Sequence, residues 1–477
     1  MKKEDFEMKT TSTVLFALLL ASFAPAQQRW SKTYGGTAND YGWSAQQTRD
    51  GGYIVTGESR SFGSNGYDVY LVKTDAAGDT VWTRTCGGEF EDDSRCVRQT
   101  ADGGYIIAGY TASFGAQYTL AYLVKTDSLG SVTWQDTLGG NGKAGWNMAY
   151  SVQQTVDGGY IVTGYTDAVG AGYDDVWLIK TNSSGSTSWT KTFGGADYDN
   201  GYAVQQTSDS GYIIAGQTKS FGAGAYDVYL IKTNSSGDTL WTRTYGGTGN
   251  DAASSVRQTA DGGYIVTGYT QSFGSGADDV WLLKTNASGD TLWTRTYGGT
   301  GYDDGNSVQP ALDGGYIIAG TTPSPGPGGY DFYLIRTGDS GDTAWTRTYG
   351  GAYDDEGRSV QQTSDGGYII AGYSNSFGAG DYDVYLVKTD ENGSPGVEEK
   401  GSGRPVAAGS LKATPNPFNS FATIPGYEGE RFSVYDISGK MVGTCLGNRV
   451  GEGLAPAVYF VKPGNKQSTS LRIVKAR

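Results

Sequence analysis

Ser255 to Tyr297 reads SVRQTADGGYIVTGYTQSFGSGADDVWLLKTNASGDTLWTRTY, and this stretch decides the fold. Ser255 to Thr259 alternates in period two and runs into Asp261-Gly262-Gly263, the glycine-rich tight turn that a hairpin requires. Tyr264 to Thr270 then reads as a second strand, Gln271 to Ala277 as a polar loop, and Asp279 to Thr285 as a third strand. The short turn Asn286 to Asp290 leads into Thr291 to Tyr297, the fourth. β-Branched and aromatic residues dominate these segments and no apolar period near 3.6 is sustained, so the unit is predicted to be all-β.

The unit recurs along most of the 477 residues. Its Gly-Tyr-Ile core places tyrosines at 53, 105, 160, 212, 264, 316 and 368, five intervals of 52 residues and one of 55. Tryptophans at 30, 82, 134, 189, 241, 293 and 345 keep the same beat. A repeat of about 50 residues built from short strands and glycine turns belongs to propeller blades, not to helical solenoids. The five-residue turn is too short to cross between blades, so each third strand must pair with the Trp-bearing strand after it. Asp383 to Thr389 has no such follower, and Trp30 to Tyr34 has no third strand before it. The prediction is a seven-bladed β-propeller over residues 27–394, four strands per blade, closed by the N-terminal strand.

Composition narrows the function. A formal net charge of -14 and a pI near 4.6 argue against a nucleic-acid partner, which needs a basic surface. The chain has no histidine, which removes Ser-His and Cys-His nucleophiles, His metal sites and the usual general base together. Residues 1–26 read as a signal peptide: Lys2, Lys3 and Lys9 precede the apolar Val14 to Phe23, and Ala24-Pro25-Ala26 fits the cleavage rule. No later stretch approaches 18 apolar residues, so no transmembrane segment is expected after its removal. Cys86 and Cys96 stand ten residues apart and could bridge in an oxidising compartment, leaving Cys445 unpaired.

Residues repeated in every copy read as architecture, because one ligand rarely needs seven identical contacts. The turn aspartates Asp50, Asp102, Asp157, Asp209, Asp261, Asp313 and Asp365 suit hairpins. Asp68, Asp175, Asp227, Asp279, Asp331 and Asp383 stand ahead of the third strands, where they would bond backbone donors of the preceding loop; Leu120 replaces them in the second copy. A third column, Asp40, Asp92, Asn147, Asp199, Asp251, Asp303 and Asp355, is assigned to the loop entering each inner strand, ringing one mouth of the channel. Such carboxylates are Ca²⁺ ligands, yet no loop carries an ordered Asp ladder, so loop caps and a solvated rim are the favoured reading. The third copy inserts three residues here, exposing Trp146 either to stack on a sugar ring or to fold over its own blade. Pro323, Pro325 and Pro327 stiffen the corresponding region of the sixth copy. Paired carboxylates such as Asp303 and Asp304 leave glycoside hydrolysis open as an alternative to a non-catalytic binding propeller.

Residues 395–410 read as a linker, followed by a small β module at 411–477. The order PNPFN (Pro415 to Asn419), VYDISGK (Val434 to Lys440), VYFV (Val458 to Val461) and LRIVKAR (Leu471 to Arg477) resembles the C-terminal sorting domain of the type IX secretion system of Gram-negative bacteria. That family commonly has glycine where this chain has Ala457. The resemblance implies an immunoglobulin-like sandwich, the secretion machinery as partner, and release or attachment at the outer-membrane surface. The repeats themselves look like exported bacterial repeat proteins. Their hairpin DVYLIKTNSSGDTLW (Asp227 to Trp241) is similar to that of quinoprotein-type propellers, but brings no cofactor residues. The sequence therefore leads to a secreted or surface propeller that binds a glycan or protein on its loop face.

Overall fold

The computed structural model describes residues 29–139, 145–323 and 329–396, then 422–423, 431–436, 440–446, 449–450, 455–463 and 471–474. The signal peptide, most of the linker, the PNPFN stretch, Pro325 and Pro327 lie outside the described residues. Every regular element among the described residues is a β-strand.

The first strands are β1 (Trp30–Tyr34), β2 (Asp40–Gln47), β3 (Tyr53–Ser59), β4 (Asp68–Thr74) and β5 (Thr80–Cys86). Strands β2 to β5 form one antiparallel sheet in chain order, and the same four-stranded sheet recurs five times between Asp92 and Tyr349. A last sheet joins Asp355–Gln362, Tyr368–Ser374 and Asp383–Thr389 to β1, which supplies its fourth strand. Trp30 lies opposite Lys388 and Tyr34 opposite Val384, the antiparallel pairing that strand counting required. Each inner strand contacts those of both neighbouring sheets, and β2 contacts Asp355–Gln362, so the sheets are arranged as a closed propeller.

The apolar faces explain why the sheets stack. The second and third strands are almost wholly buried, while the outer strand keeps only one edge covered. Between sheets, the outer tryptophan of one meets the core tyrosine of the next: Trp82 packs on Tyr105 at 5.9 Å and Trp241 on Tyr264 at 5.9 Å. Close approach needs glycine at one position per sheet, since a Cβ on Gly57 would lie 1.7 Å from the Tyr41 carbonyl oxygen.

The inner strands begin earlier than the alternation indicated. In the quoted repeat the strand runs Asp251–Gln258 instead of starting at Ser255, and a bulge falls between Ala253 and Ser255. A bulge breaks period two, which hid the first half of the strand. After residue 396, Met441–Leu446, Arg431–Tyr435, Val458–Pro463 and Leu471–Val474 make a four-stranded antiparallel sheet in that order. Ala422–Thr423 pairs with Arg449–Val450. Phe432, Val434 and Val461 are buried.

Candidate functional site

The acidic column is not an exposed rim. Asp40, Asp92, Asn147, Asp199, Asp251 and Asp355 are the first residues of inner strands, Asp303 directly precedes one, and all seven are buried. Asp199 Oδ2 accepts from the Gly195 N–H at 2.8 Å and the Ser220 hydroxyl at 2.6 Å. Asp355 repeats this with Gly351 and Ser376, both at 2.7 Å, and Asp303 accepts from the Gly299 N–H at 2.9 Å. Asn147 accepts from the Thr166 hydroxyl at 2.7 Å and donates to the carbonyls of Thr119 and Gly145. These side chains cap the loop that enters each inner strand. The donors engage Oδ2, while Oδ1 of Asp92, Asp199, Asp303 and Asp355 is buried without a hydrogen-bond partner, and no three His, Cys, Asp or Glu side chains converge on a metal position among the described residues. Asp303, half of the carboxylate pair that a hydrolase would use, gives Oδ2 to this cap.

The other aspartates hold local structure as well. Asp68 accepts from the Ser64 N–H at 2.6 Å and Asp175 from the Ala171 N–H at 2.6 Å. At the hairpin turns, Asp102 accepts from the Thr100 hydroxyl, the Gly104 N–H and Lys125 Nζ. Partial burial works against its charge, but these three donors hold its carboxyl down at about 2. Each turn aspartate has a cation of the third strand 23 residues later, from Lys73 with Asp50 to Lys388 with Asp365, and Arg336 serves Asp313. The sequence reading missed this pairing, although its fixed spacing was visible.

What differs between copies gathers at the channel axis. The bulge position holds Trp43, Arg95, Tyr150, Tyr202, Ser254, Asn306 and Arg358, seven residues of five types on one scaffold. Arg95 stacks on Trp43 with its guanidinium carbon 3.9 Å from the ring centre, and Arg358 lies 4.9 Å from the same ring. Tyr150 meets Tyr202 edge-on at 5.2 Å, and Tyr41 meets Tyr373 at 4.8 Å. Arg95 is ion-paired to Asp93, and Arg358 to Glu356. Burial, with Asp93 nearby, pushes the Glu58 carboxyl well above the usual carboxylate range. Asp304 is raised to about 6 by burial and by Asp278. The result is an aromatic and charged layer made by several sheets together.

Around this layer the loop face carries exposed aromatic rings. Trp146 is 47% exposed and Tyr118 48%, their rings 5.8 Å apart, and Thr119 bridges Trp146 through the backbone. Trp146 thus leans on the preceding sheet's loop instead of folding over its own. Tyr173 and Tyr198 stack at 4.8 Å and 11°, and Tyr302 and Tyr353 also face solvent. Cys86 and Cys96 are both buried and unbridged, each inside a different core cluster, so the disulfide considered from spacing does not form.

No family model matches the chain. The regulatory protein FlaEY of Caulobacter vibrioides is 30% identical over 226 residues, which is 42% of this chain and 23% of FlaEY. The chain is thus similar to under a quarter of that protein's length. Among solved structures, the Pan2 WD40 domain of Neurospora crassa is 8% identical with a TM-score of 0.47, covering 76% of this chain and 95% of that one. PorZ of Porphyromonas gingivalis, a surface component of the type IX secretion system, is 13% identical with a TM-score of 0.44, covering 93% of this chain and 60% of PorZ. No helix among the described residues is long and apolar enough to cross a membrane.

Proposed function

We propose that the chain is a non-catalytic, seven-bladed propeller that binds a glycan on its loop face, at the secreted or outer-membrane surface of a Gram-negative bacterium. The observation that carries this reading is the Tyr118–Trp146 pair, two half-exposed rings held side by side by a backbone bridge in the loop that departs from the repeat. Flat, rigid, solvent-facing aromatic surface beside tyrosine hydroxyls suits the apolar face and hydroxyl rim of a sugar ring. Export would follow the signal peptide at 1–26 and the immunoglobulin-like sorting module at 411–477, engaging the type IX machinery.

A glycan array with the full chain tests the binding reading. Binding that falls at least tenfold in Trp146→Ala, and partly recovers in Trp146→Phe, supports it. Release of reducing ends abolished by Asp304→Asn would establish a hydrolase instead, and retention of only a protein partner would move the specificity to a protein surface. Deleting residues 411–477 should leave the ring folded and strand it in the periplasm, and normal export of that truncation would overturn the sorting assignment.

A further inference from the structure

Where the inner strands run into their hairpin turns, the channel holds a cavity of about 230 Å³ lined chiefly by the penultimate residue of each inner strand. Five of those residues are glutamines and two are arginines, Arg98 and Arg257. No carboxylate lines the cavity.

The glutamine orientations are fixed by the backbone. Oε1 of Gln46, Gln153, Gln205 and Gln361 accepts the N–H of Gln99, Gln206, Gln258 and Gln47 in the next sheet, at 2.6 to 2.8 Å. An N–H must meet an oxygen, so each carboxamide keeps its NH₂ as the unengaged end. The arginines are equally one-sided. Arg98 Nη1 donates to the Val97 carbonyl at 2.8 Å and more loosely to Ser44 Oγ, and Arg257 Nη1 donates to the Val256 carbonyl at 2.7 Å. Neither forms an ion pair among the described residues, unlike Arg95 and Arg358 higher in the same channel. Burial and then the charge of Arg98 draw Arg257 down to about 10. The cavity wall therefore offers donors and positive charge with almost no competing acceptors.

Arg257 also has a local reason to replace glutamine. The residue that would donate to its carbonyl in the next sheet is Pro310, which has no N–H. A glutamine there would bury an unmatched oxygen, whereas a guanidinium has no acceptor to satisfy. Two half-buried arginines sharing one space without a carboxylate repel each other unless a counter-charge joins them.

We propose that this cavity is a binding site for a small oxyanion of the sulfate or phosphate class, bridging Arg98 and Arg257 and taking further hydrogen bonds from the glutamine NH₂ groups. The site is independent of the ligand reading for the loop face.

The test is a sulfate titration of the full chain against sodium chloride at constant ionic strength, read as melting temperature. Wild type should show a saturable rise. The double variant Arg98→Gln, Arg257→Gln installs the residue that the other five copies carry; it should bind sulfate at least tenfold more weakly. A wild-type response that does not saturate, or an equal response in both proteins, would overturn the proposal. Should the double variant not fold, selenate-soaked wild-type crystals decide: an anomalous peak between Arg98 and Arg257 supports the site, and its absence rejects it.

Discussion

Trp30 packs edge-on against Tyr53, ring centres 5.6 Å apart at 71°. Trp30 belongs to the last sheet and Tyr53 to the first, so this contact seals the ring where the chain's two ends meet. The same pairing recurs at every other interface, which is why the tryptophan and tyrosine series share one beat. Arg29 Nη1 adds an ion pair to Asp390 Oδ2 at 3.1 Å, across 361 residues of chain.

Trp30→Ala should therefore cost about 3 to 5 kcal/mol, the usual loss for a large buried aromatic. Thermal melting of the variant checks this, and removing residues 27–34 should be worse still. An unchanged melting curve would reject the shared closing sheet.

The glycine of the second strand admits no side chain. An added Cβ at Gly268 would sit 1.8 Å from the Ala252 carbonyl oxygen, and at Gly164 1.7 Å from that of Met148. Gly268→Ala should destabilise by about 3 kcal/mol or more, because the obstacle is backbone that must move. Denaturant unfolding measures it, and a cost below about 1 kcal/mol would show that the sheet yields more than expected.

Ser210 offers the opposite case. It holds a φ of 67° in the turn position where other copies place glycine, such as Gly262 at 81°. Ser210→Gly should stabilise by roughly 0.5 to 1 kcal/mol, since relief of the left-handed strain exceeds the added chain entropy. Loss of stability would mean that the serine makes a compensating contact.

Glu58 makes stability depend on pH. Its carboxyl faces Asp93, Arg95 and Trp43, and burial raises its proton affinity in the folded state above the ordinary value of 4.5. The stabilisation from the bound proton is complete below that ordinary value and is lost as pH rises toward the folded one. Each tenfold gain in proton affinity corresponds to about 1.4 kcal/mol. Glu58→Gln, which keeps the neutral shape, should flatten the fall in melting temperature between pH 5 and pH 8; a variant as pH-sensitive as wild type would clear Glu58 of the effect.

Burial pushes the Cys86 thiol up to about 11, and Asp68 adds to the displacement. Alkylation of Cys86 at pH 8 should run about a hundredfold slower in the native protein than in denaturant. Rapid native labelling, or a disulfide to Cys96 by mass spectrometry, would contradict the buried, unbridged arrangement.

The repeat, the strands, the turn aspartates and the pairing of β1 with Asp383–Thr389 were legible in the chain alone. Each follows from local chemistry or from counting: glycine turns mark hairpins, β-branched alternation marks strands, and an unmatched strand at each end must find the other. The cation 23 residues after each turn aspartate was equally countable and was passed over. The loop-capping role favoured for the acidic column was legible too, but not its burial, because a bulge in the inner strand makes a strand's first residue look like loop. What only the tertiary structure decided is the channel. Trp43, Arg95 and Arg358 come from three sheets, and Arg98 and Arg257 from two that are not adjacent, so no spacing along the chain relates them. Their meeting is set by ring closure, which brings one inner strand of every sheet to a common axis and turns differences between copies into a single asymmetric interior.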